Sequence, residues 1–211
     1  MQTITEFALK QAARGYFTRE QASTWAGKKG ASLDGLLKRA VASQETTRVT
    51  RGLYCLDSSL TGQKIDPLEL AQLVYGPSYL SLEFALSYHG WIPEAVYSIT
   101  SVSAKRSRVF DSPIGYFTYT RVPQRLFFAG VERVETTARG SFLLANPIKA
   151  LADLVYVRKI DDGPLRVFQS LRIDSAVLKD IQGESIQEAI SAYGPGRIRR
   201  FLNALGEHCQ T

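Results

Sequence analysis

The chain is short of the residues that build most metal and redox sites. Its 211 residues include two cysteines, Cys55 and Cys209, and two histidines, His89 and His208. Neither cysteine has a ligand neighbour at C-x-x-C or C-x-x-H spacing, so no zinc ribbon or dithiol motif can be built from them. Two free thiols in a reducing cytoplasm are expected. The histidines lie far apart, with no carboxylate or cysteine at ligand spacing. His89 before Gly90 suits the C-terminus of a helix. No run of eighteen apolar residues occurs, which argues against a membrane-spanning helix. The opening residues show no basic segment followed by an apolar one, so no signal peptide is read. Internal repeats and low-complexity segments are absent as well. No cofactor, metal or membrane partner is expected.

Catalytic signatures are equally scarce. Gly140-Ser141 followed by Asp153 hints at a nucleotidyltransferase pattern. That chemistry needs a second carboxylate two residues on, to share a metal ion, and the residue there is Val155. Asp153 is therefore expected on a helix surface or paired with a basic neighbour. Gly194-Pro195-Gly196-Arg197 is glycine-rich but lacks the Gly-Lys-Ser/Thr end of a phosphate loop. It reads as a helix break. The chain is not expected to be an enzyme.

What is present is an ordinary globular composition with an uneven charge. Apolar residues make up 45% and charged residues 22%, enough apolar material for real cores. Residues 1–60 carry nine Lys/Arg against five Asp/Glu, whereas residues 161–211 carry six against seven. A basic front with a neutral tail permits a nucleic-acid partner without requiring one.

The front sixty residues carry three amphipathic segments. Ile4, Phe7, Ala8, Gln11 and Ala12 share one helical face, and Gly15 ends it. The second segment opens at Phe17, with Thr18 as N-cap and Gln21 completing a capping box. Gly27-Lys28-Lys29-Gly30 then makes a basic turn. The third helix starts at Ser32, read as its N-cap. Leu33, Leu36, Leu37, Ala40 and Val41 form its apolar stripe, leaving Lys38 and Arg39 outside. Thr46 to Val49 and Leu53 to Leu56 read as two strands around a Thr50-Arg51-Gly52 turn. Helix, tight turn, basic helix and hairpin is the layout of a winged helix-turn-helix. On that reading Lys38 and Arg39 reach phosphates or guanine edges. Ser32 offers a helix N-terminus to a phosphate. Arg48 and Arg51 lie on the wing, and Lys28 and Lys29 flank the helix. Trp25 and Tyr54 read as core residues rather than base-stacking platforms.

Residues 57–65 are polar and aperiodic and read as a linker. From residue 66 to 211 the pattern is α+β, with a mainly antiparallel sheet and a helical tail from about residue 162. Asp66-Pro67 and Asn146-Pro147 open helices, and Ser78-Tyr79-Leu80-Ser81 leads into another. Strands are expected at Val96–Val102, Val109-Phe110, Gly115–Thr120, Leu126–Phe128, Val131–Val134 and Ser141–Leu144. The second domain has its own basic set: Lys105, Arg106, Arg108, Arg121 and Arg125. It reads as a solvated rim or as a further nucleic-acid or antitoxin surface. One core per domain accounts for the apolar stripes, so a monomer in solution is expected.

The order of motifs resembles the AbiEi antitoxins of AbiE abortive-infection systems. It runs through Arg51-Gly52-Leu53-Tyr54, Asp66-Pro67-Leu68-Glu69-Leu70-Ala71 and Gly76-Pro77-Ser78-Tyr79-Leu80-Ser81. Ala85-Leu86-Ser87-Tyr88-His89-Gly90, Lys105-Arg106, Gly115-Tyr116-Phe117-Thr118-Tyr119 and Ala145-Asn146-Pro147-Ile148-Lys149-Ala150-Leu151-Ala152-Asp153 complete it. The resemblance is clearest over residues 5–160. It implies the antitoxin of a type IV toxin–antitoxin module for phage defence. Such an antitoxin opposes a nucleotidyltransferase toxin without a stable complex, and represses its own operon by binding promoter inverted repeats. The alternative is a stand-alone winged-helix regulator whose second domain senses a ligand or partner. A nuclease-related enzyme with a DNA-targeting front end is the third reading, and the missing carboxylate cluster speaks against it.

Overall fold

The computed structural model describes residues 3–136 and 140–209. The chain opens with helix α1 (Ile4–Gln11), capped by the Thr3 side chain accepting from the Glu6 amide. Strand β1 (Tyr16–Thr18) follows, where the sequence suggested the start of a helix. Helix α2 (Arg19–Ala26) begins one residue later. Thr18 and Gln21 form the expected capping box, and Gly27 ends the helix in the left-handed region. Local signals of this kind need no tertiary help, which is why they read correctly.

Helix α3 (Gly30–Ala42) starts two residues before the expected point. Its N-cap is Lys29, in extended conformation and without a side-chain cap bond, and Ser32 is an exposed residue of the first turn. Gly30, at φ +55, turns the chain into the helix earlier than a cap at Ser32 would. Strands β2 (Thr46–Thr50) and β3 (Leu53–Leu56) form the hairpin. The register shifts between Arg48 and Thr50, a bulge that bends the strand just before the Arg51-Gly52 turn. The three strands make an antiparallel sheet in the order β1-β3-β2. One face covers the helices: Phe17, Tyr54 and Leu56 join Ile4, Ala8, Leu33, Leu36 and Leu37 in a core.

The other face of that sheet is covered too. Val49, Leu53 and Cys55 belong to the core of the rest of the chain, together with Leu70, Tyr79, Phe117 and Leu151. All four residues of β3 are buried. Strand β2 lies against β6, described below. The stretch 57–65, expected as a linker, holds a short helix α4 (Ser58–Thr61) capped by Asp57. The front unit is docked on the second domain rather than tethered to it.

The second domain begins with α5 (Pro67–Val74), capped by Asp66. Then come β4 (Ser78–Leu80) and α6 (Leu82–Tyr88), with His89 as C-cap. Ser78–Leu80, expected as a lead-in to a helix, is an interior strand. Strands β5 (Ile99–Ser103), β6 (Arg108–Ser112), β7 (Gly115–Arg121), β8 (Val131–Glu135) and β9 (Ser141–Ala145) complete a sheet in the order β6-β7-β5-β4-β9-β8. The sheet is mixed: β4 pairs with β9 and β5 with β7 in parallel, while the other three pairings are antiparallel, so the expected antiparallel majority is a narrow one. The β6–β7 hairpin folds inward, so β7 rather than β6 lies beside β5, and strand patterning does not encode that choice.

Leu126–Phe128, expected as a strand, is a turn. Its aromatic residues pack on Tyr79, with the Phe127 ring 4.9 Å away. Phe127 is partly buried there without a ladder, while Leu126 and Phe128 stay largely exposed. Helix α7 (Pro147–Val157) runs through the core, with every residue from 148 to 155 buried. The tail is helical, as expected: α8 (Pro164–Leu171), a 3-10 segment (Ser175–Asp180), α9 (Gly183–Ala192) and α10 (Arg197–Cys209). Among the described residues, no helix is long and apolar enough to cross a membrane.

Candidate nucleic-acid interface

The outer side of α3 and the β2–β3 hairpin wall a groove of about 830 Å³. Lys38 lines it from α3, Arg48 from β2 and Arg51 from the turn; Arg19 and Glu20 of α2, Asp34 of α3 and Tyr54 of β3 also line it. Lys38, Arg48 and Arg51 are all exposed. The geometry has local causes. Gly52 takes φ +88, which closes the two-residue turn, and its carbonyl accepts the Arg19 amide at 2.8 Å. That bond fixes the hairpin tip to the first residue of α2. Arg48 lies back along its strand, donating from Nε to the Thr50 carbonyl at 3.3 Å.

Sequence reasoning did not assign Arg19, Glu20 or Asp34 to the groove, and two of them are paired. The Arg19 guanidinium donates to Asp34 Oδ1 from Nε at 3.1 Å and from Nη2 at 2.8 Å, tying α2 to α3. The Asp34 bond and charge raise the arginine's already high pKa. The partners stand fifteen residues apart on different helices, so no sequence spacing announced them.

The other residues expected to contact DNA lie outside the groove lining. Arg39 is exposed and folds over Gly35, where a Cβ would lie 3.6 Å from its Nη1. The Lys28 carbonyl accepts the Ser23 hydroxyl at 2.7 Å, which pins the basic turn beside Lys29.

The second-domain basic set is divided. Lys105 and Arg108 both stand over the Tyr75 ring, at 5.6 and 5.7 Å. The Tyr75 hydroxyl donates to the Arg106 carbonyl. This cluster adjoins β6, the strand against which the hairpin rests. Arg121 instead lines an open groove of about 500 Å³ with Tyr156, Lys159 and Arg197. Arg125 sits against the tail, its amide bonded to the Ala192 carbonyl. The five residues do not form one surface.

The most elaborate polar arrangement is sealed inside. Lys149 and Asp153 are both fully buried, with Nζ 3.0 Å from Oδ1. The expectation of a basic partner for Asp153 holds, and the alternative of a helix-surface position does not. Asp153 accepts from Lys149, Gln124 and Tyr193 on Oδ1, and from Tyr79 and Ser81 on Oδ2. The Lys149 ammonium also lies 5.2 and 4.9 Å from the Tyr79 and Tyr193 ring centres, a cation between two π faces. Burial lowers the Lys149 pKa, and Asp153 opposes that shift. Burial and then the Asp153 charge push both tyrosine hydroxyls up, so they remain donors. The network joins β4, the 122–125 loop, α7 and the end of α9. Its charged members, Lys149 and Asp153, are both fully buried, and the network pins these elements together. Among the described residues, no three His, Cys, Asp or Glu side chains gather as a metal-binding set.

No protein-family model matches this chain, and no curated protein matches it.

Proposed function

We propose that residues 1–60 or so act as a winged helix-turn-helix on double-stranded DNA, with α3 as recognition helix and the β2–β3 hairpin as wing. The observation that carries this reading is the groove in which Lys38, Arg48 and Arg51 converge from helix, strand and turn. Three exposed cations on one concave face match a phosphate backbone better than an uncharged ligand. Together with the resemblance to AbiEi antitoxins, it supports an autorepressor that also neutralises a nucleotidyltransferase toxin. The repressor activity is tested on duplex DNA containing inverted repeats from upstream of the gene. Replacing Lys38 and Arg51 together by Ala is expected to weaken binding. It should also flatten the dependence of log K on log salt by about 0.9 for each phosphate that is no longer neutralised. Unchanged affinity and slope in the double variant would remove the groove from the DNA interface.

A second reading, a stand-alone regulator, is favoured by one observation. The hairpin's second face is built into the core of the other domain, so whatever the second domain holds can bear directly on the wing. Co-expression with the neighbouring reading frame separates the two. Growth rescue from a toxic nucleotidyltransferase is the antitoxin outcome; no rescue leaves the stand-alone regulator.

A further inference from the structure

We infer that Asp34 reads a cytosine in the major groove, with Arg19 holding its carboxylate in the reading position. This rests on the DNA-binding reading above. A carboxylate is out of place on a surface meant for phosphates, because it repels every one of them. Two carboxylates nevertheless line the groove with Lys38, Arg48 and Arg51: Glu20 on α2, and Asp34 on α3, one helical turn before Lys38 and the one held by Arg19. The Asp34 side chain is half exposed, and so is that of Arg19 to a lesser degree. An ion pair this open adds little to stability, so holding α2 against α3 does not account for its place.

Geometry says what remains available. Both bonds from Arg19 fall on Oδ1, which leaves Oδ2 to accept from outside. The side chain is steadied without being used up. Arg19 is itself anchored, since its amide is bonded to the wing carbonyl of Gly52. The carboxylate is thus fixed relative to helix α2, helix α3 and the wing tip together. Asp34 lies in the first half of α3, and in helix-turn-helix proteins the N-terminal residues of the recognition helix meet base edges.

Base chemistry then selects the partner. In the major groove, cytosine presents its N4 amine as a donor, whereas guanine and thymine present acceptor oxygens that repel a carboxylate. Adenine offers N6 but sets the N7 acceptor beside it. An amide at the same position would prefer adenine, donating to N7 and accepting from N6. Asp34 therefore costs affinity on DNA in general and returns it at one base pair per half-site.

The experiment selects duplexes from a randomised pool with the full-length protein, Asp34→Ala, Asp34→Asn and Arg19→Ala, each first checked for an unchanged melting profile. The wild type is expected to enrich a motif with cytosine at one position per half-site, on the order of tenfold over other bases. Asp34→Ala should lose that preference while binding unrelated DNA more tightly, and Asp34→Asn should move it to adenine. Arg19→Ala should keep cytosine with a narrower margin. If Asp34→Ala and Asp34→Asn enrich the wild-type motif unchanged, the residue is only a partner for Arg19 and the inference fails alone. If the wild type enriches no motif, the DNA-binding reading fails and carries this inference with it.

Discussion

Asp153→Ala is expected to destabilise the protein by about 3–5 kcal/mol, because it strands a buried ammonium. Asp153 is fully buried and accepts five hydrogen bonds. Its removal leaves Lys149, also fully buried, facing two tyrosine rings with no counter-charge. For a domain of this size that loss corresponds to a fall of roughly 6–20 °C in Tm. Lys149→Met should cost less, since Asp153 keeps the donors Tyr79, Ser81, Gln124 and Tyr193. The double variant, Lys149→Met with Asp153→Ala, should cost well under the sum, because neither charge is then left unpaired. Urea melts of the four proteins check this. Additive losses would mean that the two groups are not coupled.

The same network sets the alkaline limit. The Tyr79 and Tyr193 hydroxyls are raised in the fold, so the unfolded chain loses those protons first, near pH 10. Their contribution is complete below that pH and is lost above it, at roughly 1.4 kcal/mol per pH unit for each tyrosine. Lys149 acts in the opposite sense, because its pKa is lowered in the fold. Stability from that residue rises with pH, but only until the unfolded lysine is neutral as well, near pH 10.4. Above that point the tyrosines act alone. Melts between pH 9 and 12 should show the fall begin near pH 10 and steepen above about pH 10.4, and it should persist in Asp153→Ala, because burial is the larger cause of both tyrosine shifts.

Sequence patterns revealed most of what was local, the cap of α3 excepted, which is Lys29 rather than Ser32. The Thr18–Gln21 capping box, the turn at Gly52 and the Asn146-Pro147 helix start are each decided within four residues, and each is where it was expected. What failed was settled at a distance. Ser78–Leu80 is too short to show a period of two, and its burial comes from strands far along the chain. The pairing of β7 rather than β6 with β5 is a choice between equally good edges. Of the residues expected on DNA, Lys38, Arg48 and Arg51 converge because helix and hairpin are adjacent in the chain. The second-domain set scatters because nothing local holds it together. The Lys149–Asp153 pair was the one visible clue to the buried network. Two opposite charges four residues apart on an otherwise apolar helix read more naturally as a buried pair than as a helix surface. Its companions Tyr79 and Ser81 belong to another motif seventy residues earlier, and Gln124 and Tyr193 carried no signal at all.

Residues 1–65 alone are expected to fold poorly, although the sequence presents them as a self-contained domain. Val49, Leu53 and Cys55 are all buried in the core they share with the second domain. Cutting the chain after residue 65 exposes them. At about 1.5–3 kcal/mol for each of the two large apolar side chains, Val49 and Leu53, the loss is roughly 3–6 kcal/mol before Cys55 is counted. A unit of some sixty residues rarely has that much stability to lose. Cys55 supplies a direct readout. In the intact protein, burial pushes its thiol pKa up to about 12, so at pH 8 it should react very slowly with a disulfide reagent while the half-exposed Cys209 reacts. In the fragment, Cys55 should react at the rate of an unstructured thiol, and DNA binding should fall with it. The intact chain should unfold in one transition rather than two. A fragment that melts cooperatively, protects Cys55 and binds DNA as the whole chain does would show that the shared core is dispensable. The opposite result makes the hairpin part of both domains, and gives a change in the second domain a direct mechanical route to the groove proposed to bind DNA.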